Sequence, residues 1–332
     1  MPKINRRTLL AGAAATGALA AAASVHAMDD HVAMKTDFTG KNVLITGCSS
    51  GFGYLSALHF ARNGAKVFAT MRRLPRTEAE DLAKIAGEEN LDVTVLEIDV
   101  RDDAQVLAGV AEAERLAGGA IDILINNAGI SISGPIEIQD MQATQQIFDT
   151  NVFGPQRLIR AALPKMRAAK SGMIFNVTSQ LGRVMLPAFG QYSPTKFALA
   201  ALSAQPAYEL VPHNIDVTVI EPGGYPTKIW ENARKLTMDL IERADDHHTD
   251  GYPTFIAAMM TQSSGGGDTD PMDVPRAMAE IAAMPAGTRP LRRPVHPGPK
   301  PQIAINEVSA KTQVEWLGES PYGPLIKAVH NA

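Results

Sequence analysis

From Asn42 onward the chain alternates short, unbroken apolar runs with longer stretches in which apolar residues recur every three or four positions. Val43–Thr46, closed by Gly47, is the first run. Lys66–Thr70, Val93–Leu96, Ile121–Ile125, Gly172–Val177 and Ile215–Ile220 follow, each four to six residues long. This is the pattern of strands buried on both faces. Between them the helical period predicts helices over 54–62, from Glu78, over 102–116, over 141–168 and over 192–210. Six strands alternating with helices demand right-handed crossovers, so the predicted fold class is α/β, a three-layer, doubly wound parallel sheet. A domain over 38–290 accommodates it.

Beyond about residue 226 the periodicity loosens. Trp230, Leu236, Met238, Leu240, Phe255, Met259 and Met260 lie in segments too short for a core of their own, so 228–270 is expected to be a lid over the substrate, with Ser263–Gly267 as a flexible loop. Ten of the 22 prolines fall within 271–332, and 291–332 is expected to be a Pro-rich C-terminal extension. Residues 1–27 differ from the rest. Lys3, Arg6 and Arg7 precede an acid-free run of small apolar residues that ends at Val25-His26-Ala27, the layout of a cleaved signal peptide. The pair Arg6-Arg7 resembles a twin-arginine export motif, which implies a periplasmic protein, or a cytoplasmic one if the segment is not a signal. The apolar run is too poor in Leu, Ile and Phe to span a bilayer well, so no stable membrane insertion is expected once it is removed.

Composition narrows the partners. The 332 residues carry 31 Lys plus Arg against 35 Asp plus Glu, a net charge of −4 that cleavage after Ala27 would take to −7. No basic footprint for nucleic acid exists. The single cysteine, Cys48, cannot form an intrachain disulfide.

Candidate chemistry lies at strand ends. Thr46-Gly47-Cys48-Ser49-Ser50-Gly51-Phe52-Gly53 joins the first strand to its helix. There Gly47 permits a tight turn, Gly51 lets the backbone approach a pyrophosphate, and Gly53 allows close packing at a helix N-terminus that favours anions. Such a turn alone equally fits a loop that needs positive φ. Tyr192 and Lys196 share a helix face, with Pro194 tolerable in the first turn. Ser179 lies 13 residues before Tyr192 at a strand end, Asn126-Asn127-Ala128-Gly129 closes the fourth strand, Asn151 lies in the next helix, and Pro222-Gly223-Gly224-Tyr225-Pro226-Thr227 follows the sixth strand.

In order and spacing these motifs resemble the short-chain dehydrogenase/reductase family, in its single-domain branch with a Rossmann fold. The stretches 67–72 and 148–154 are similar to retinol- and hydroxysteroid-dehydrogenase-like members. The resemblance implies hydride transfer between a secondary alcohol and a ketone on a nicotinamide cofactor. It implies Tyr192 as general acid/base, Ser179 orienting the substrate oxygen, Lys196 binding the nicotinamide ribose, and Asn151 supporting a proton-relay water. Ser49, Ser50, Phe52, Asn127, Ala128, Gly129, Pro222, Gly223 and Thr227 would line the cofactor. Asp99-Val100 resembles the family's adenine-contacting pair, although Asp99 could simply cap the next helix. No acid stands at the end of the second strand, and Arg72 is placed to pair with a 2′-phosphate, so the cofactor is expected to be NADP, with NAD the lesser alternative. Solvated surface charge is the other reading of Arg72 and Arg73.

Three features depart from this pattern or stand outside it. Pro206 should kink the helix after Lys196, which in the family often builds a dimer interface, so a homodimer and a homotetramer both stay open. Asp245–Asp250 contains metal-ligand types, but a polar loop explains it as well, and no metal is expected. Cys48 needs only to be small; an oxidisable thiol is the other reading. Two further functional readings are an exported epimerase or transhydrogenase that cycles a retained cofactor, and a non-catalytic NADP-binding module.

Overall fold

Seven parallel strands form the centre of the protein, seen in a computed structural model that describes residues 36–261 and 265–332. Residues 1–27, with the expected export signal, and positions 263–264 of the expected flexible loop lie outside the described residues. The strands are β1 (Asn42–Thr46), β2 (Lys66–Met71), β3 (Val93–Glu97), β4 (Ile123–Asn126), β5 (Gly172–Val177), β6 (Ile215–Pro222) and β7 (Arg292–Val295), in the order β3-β2-β1-β4-β5-β6-β7. Every neighbouring pair is parallel. The chain winds outward to β3 and then crosses back to set β4 beside β1. That reversal opens a crevice at the carboxyl ends of β1 and β4, where ligands bind in open α/β sheets.

Helices α1 (Gly51–Arg62), α2 (Thr77–Glu88) and α3 (Asp103–Ala117) connect the first four strands, and α4 (Met141–Phe148), α5 (Gly154–Ala169) and α6 (Tyr192–Glu209) serve the next two. Val43 and Ile45 point into one apolar layer with Phe60 and Val67, while Leu44 and Phe68 point into the other with Leu124 and Ile174. Alternation of inward faces along strands covered on both sides produces exactly two such layers, and explains why the strands read as unbroken apolar runs.

The structure redraws two expectations. The predicted helix over 141–168 is interrupted by a π-helical turn at Asp149–Phe153, and α5 continues through Pro164. The segment expected as a Pro-rich extension is part of the fold: 291–332 supplies β7 and then α11 (Gln302–Leu317) and α12 (Gly323–His330), within the same compact unit as the rest of 36–332. The domain therefore does not stop at 290. As an edge strand, β7 can hold Pro294 without losing a ladder bond on its outer side. Helix α6 runs on to Glu209 past Pro206, and α12 packs against it, where Tyr208 and His330 share a 2.9 Å hydrogen bond. The lid region forms α7 (Ile229–Arg243), α8 (Asp246–Thr249) and α9 (Pro253–Thr261), followed by α10 (Asp273–Ala283).

Candidate active site

A cleft of about 520 Å³ opens at the carboxyl edge of the sheet. Its nucleotide half is built on the β1–α1 turn. Gly47 has φ +73°, and a Cβ there would stand 2.9 Å from the Ala128 Cα; a Cβ on Gly53 would stand 2.5 Å from Asn127 Nδ2 and on top of the Gly47 carbonyl oxygen. Turn, helix and β4 end are thus in backbone contact. Asn127 Nδ2 donates to the carbonyls of Thr46 (2.9 Å) and Gly47 (3.3 Å), while Thr46 Oγ1 accepts from the amides of Asn127 and Ala128, both at 3.0 Å. The hydroxyl of Thr46 is a clamp that the glycine pattern does not announce. Ser50 makes no side-chain cap to α1, and no acid stands in its first turn, so the helix N-terminus at Ser50, Gly51 and Phe52 lines the cleft with no competing anion of its own. The residues present fit a pyrophosphate.

Cys48 is fully buried beneath this turn, and burial pushes its thiol up to about 12. It packs rather than reacts.

At the far end of the nucleotide half, Arg72, Arg76, Asp99 and Val100 line the cleft. Asp99 is not a helix cap; that role belongs to Asp102, which accepts from the amides of Ala104 and Gln105. The Asp99 carboxylate is instead held by Arg101 through Nε at 3.0 Å and a terminal nitrogen at 2.7 Å, and these bonds lower its pKa. Arg76 is forked onto Glu78. The Arg72 side chain has no hydrogen-bond or ion-pair partner among the described residues, and partial desolvation with Arg101, Arg73 and Arg76 nearby makes its charge less favourable there. Asp99 is the carboxylate lining this corner; it is engaged by Arg101, and its charge offsets only part of that penalty without pairing with the Arg72 guanidinium.

The chemical centre lies where β5, α6 and the loop after β4 meet. Ser179 follows β5 and caps a short 3₁₀ turn, its Oγ accepting from the Leu181 amide at 3.0 Å. Tyr192 opens α6; desolvation pushes its phenol up to about 12, while the neighbouring Ser179 hydroxyl acts in the other direction. Lys196, one turn later and buried, donates to the Val177 carbonyl at 3.1 Å and sits 5.5 Å from the Tyr192 ring centre. Burial pulls its ammonium down to about 8.

Asn151 stands in the π-helical turn, an irregularity that often marks functional sites. Its Oδ1 accepts from the Ile130 amide at 2.8 Å, while Nδ2 donates to the Ile130 carbonyl at 2.9 Å and to Thr195 Oγ1 at 3.1 Å. Thr195 in turn donates to the Tyr192 carbonyl at 2.7 Å. Asn151 and Gly53 do not line the cleft; the other expected site residues do. Asn151 therefore clamps the β4 loop to the start of α6, positioning the groups beside it.

The substrate half is apolar on one side, with Leu186 and Phe189 from the loop before α6 and Ile229, Trp230, Ala233 and Leu236 from the lid. Trp230 Nε1 donates to the Tyr225 carbonyl at 2.8 Å. Tyr225 packs edge-on between Phe52 and His296 and donates to Asp273 at 3.1 Å, which joins the cofactor turn to the lid. His296 covers Gly223, where a Cβ would stand 2.5 Å from the imidazole. Behind the site, Glu221 is 1% exposed and receives Arg292 at 3.0 Å and Asn306 at 2.6 Å; Asn306 also accepts from Arg183, just past the Ser179 turn. The C-terminal segment thus braces both the serine loop and the Pro222-Gly223 loop. Sequence reasoning missed Arg76, Arg183, Arg292 and Asn306, whose partners are remote in the chain.

A switch-point crevice with a glycine turn on one side and a Ser-Tyr-Lys set on the other defines a class of nucleotide-dependent oxidoreductase. Residues 41–237 match the family described as short chain dehydrogenase, and the chain belongs to that family. It is 34% identical over 263 residues to the uncharacterized oxidoreductase YusZ of Bacillus subtilis, covering 78% of this chain and 90% of that one. It is 31% identical to retinol dehydrogenase 8 of Bos taurus over 80% of this chain and 84% of the relative. A crystal structure of a short-chain dehydrogenase from Streptomyces avermitilis superimposes with a TM-score of 0.64 at 26% identity, covering 83% and 95% of the two chains.

Proposed function

We propose that the protein interconverts a secondary alcohol and a ketone of apolar character, with NADP as cofactor. The observation that carries this reading is the convergence of Ser179, Tyr192 and the buried Lys196 in one cleft, at the junction of an anion-accepting turn and an apolar pocket. A nicotinamide cofactor held by the β1–α1 turn and Lys196 would supply the hydride acceptor or donor. Ser179 Oγ, beside the Tyr192 hydroxyl and only 3.5 Å from Pro222 O, would turn its single O–H to the substrate oxygen. In the oxidative direction the hydroxyl proton passes to the Tyr192 phenolate as the carbinol carbon gives up hydride; in reduction Tyr192 returns that proton to the carbonyl oxygen. With the phenol up at about 12 and Lys196 down at about 8, the protein alone does not make the phenolate at neutral pH. A further positive charge in the cleft must favour it. Asn151, through Ile130 and Thr195, keeps Tyr192 in place.

NADP is supported by Arg72, whose guanidinium has no hydrogen-bond or ion-pair partner among the described residues, and by the absence of any acid at the end of β2. Charge-assisted hydrogen bonds contribute about 1.5–3 kcal/mol. Arg72→Ala should therefore raise the NADP KM about 10–100-fold and leave the NADH and NAD constants nearly unchanged; an equal change for both cofactors would overturn the assignment. The apolar substrate class rests on the lid, and is consistent with the likeness to a retinol dehydrogenase.

Export in the folded state is part of the same proposal, resting on Arg6-Arg7 and the run that follows. Cell fractionation should find the protein in the periplasm. Replacing Arg6 and Arg7 by Lys should retain it in the cytoplasm, and unchanged distribution would refute this reading.

A further inference from the structure

The lid ends in a group of side chains for which the oxidoreductase chemistry has no use. Asp245, His247 and His248, at the corner between α7 and α9, each offer a ligand atom, and these atoms lie within 4.8 Å of one another. The two imidazole rings are 3.9 Å apart, centre to centre. Across the rim, Glu137 from the loop after β4 accepts from His248 Nδ1 at 3.4 Å and from the Tyr252 hydroxyl at 2.8 Å. We propose that Asp245, His247 and His248 form a binding site for a divalent transition-metal ion of the zinc class, with Glu137 orienting His248, and that the ion latches the lid to the rim of the substrate cleft.

The donor set argues for this class of ion. Two imidazoles and one carboxylate are the mixed nitrogen and oxygen ligands of zinc, whose bonds run about 2.0–2.2 Å, so that neighbouring ligand atoms stand a few ångströms apart. Calcium and magnesium take oxygen ligands and would leave both imidazoles unused. A metal-bound histidine commonly gives its other ring N–H to a carboxylate, which is the relation His248 has to Glu137. Three protein ligands leave one position for water, as fits a surface corner where Asp245 and His247 are exposed.

Position supplies the consequence. The first turns of α7 line the cleft with Ile229, Trp230 and Ala233, and its last residue, Arg243, is tied to Asp140 at 2.6 Å. Glu137 and Asp140 therefore already hold the far end of the lid through side chains alone. An ion at Asp245, His247 and His248 fixes the corner residues in one arrangement and strengthens that hold. Opening of the lid then requires the contacts of Glu137 and Asp140 to break from a corner that the ion holds rigid.

The test uses the full chain, prepared without a histidine tag and freed of metal, titrated with Zn2+ by calorimetry and with Co2+ by visible absorption. One ion per chain is expected, with Co2+ bands of four-coordinate intensity. His247→Ala and His248→Ala should each weaken binding at least tenfold, and Glu137→Gln about tenfold, the range for residues that orient a ligand. Hydrogen exchange in 229–261 should slow on adding Zn2+ to the unaltered chain and not to His247→Ala. These readouts do not depend on turnover, so they stand apart from the proposed activity. Binding that survives both histidine substitutions would place the ion elsewhere and overturn the site; tight binding without slower exchange would overturn the latch.

Discussion

Tyr192→Phe is expected to bind NADP as the unaltered protein does and to lose turnover by about 10²–10⁴-fold, the usual contribution of a positioned general acid or base. The phenyl ring keeps the packing of Tyr192 against the Ile147 cluster and Phe189, and only the hydroxyl that meets Ser179 disappears. Fluorescence titration of the reduced cofactor checks the first half of the statement, and steady-state rates check the second. Full activity in the variant would end the assignment. The unaltered protein should show alcohol oxidation that rises with pH, because the phenol must shed its proton and burial holds it up at about 12 in the free protein. Lys196 opposes this at the alkaline end: pulled down to about 8, it loses the charge that favours the phenolate as pH climbs through that value. A cationic cofactor in the cleft would favour the phenolate and oppose the Lys196 charge, so the rate profile measures the balance of the two.

Much of this was readable from the chain because the features are local. Strands β1, β2, β4, β5 and β6 are covered on both faces, so their apolar runs are unbroken and stand out against the helical period. Ser179, Tyr192 and Lys196 are legible because a strand end and one helical turn fix their spacing. The π-helical turn at Asp149–Phe153 was not, since one extra residue per turn is lost in an apolar period that α4 and α5 continue on either side. Strand β7 was hidden by its composition, Arg292-Arg293-Pro294-Val295, which reads as a loop. Its place is set by Glu221, 71 residues earlier, a partner no local pattern reveals. The metal-ligand types at Asp245–His248 were visible, but what changes their reading is Glu137, more than a hundred residues away across the rim.

Arg292→Met is expected to destabilise the fold by about 3–5 kcal/mol at neutral pH, the cost of stranding one member of a buried ion pair. Methionine retains the length and the apolar stem, so the loss isolates the charge. Glu221 is 1% exposed and Arg292 14%, so solvent screens the pair little. Even with Arg292 present, desolvation holds the Glu221 carboxyl above its ordinary 4.5, and Asn306 alone would remain in hydrogen-bond contact after the substitution. The sign with pH follows from the raised value. A carboxyl that binds its proton more tightly in the folded state favours folding below its unfolded pKa and loses that contribution as pH rises through the folded one. Without Arg292 the folded value rises further, so the defect should be largest at neutral pH and shrink as acid protonates Glu221. Urea denaturation at several pH values measures this. The double variant Arg292→Met with Glu221→Gln should recover much of the loss, because it removes the stranded carboxylate, less the attraction that Glu221 also gives Arg183. A midpoint shift that is independent of pH, with no recovery in the double variant, would show that Arg292 acts by packing alone. Glu221 immediately precedes Pro222 and Gly223 at the cleft, and Asn306 links it to Arg183 beside the Ser179 turn. The single variant should therefore also raise the cofactor KM under conditions where it is still folded, which distinguishes a brace for the site from a distant anchor of the last strand.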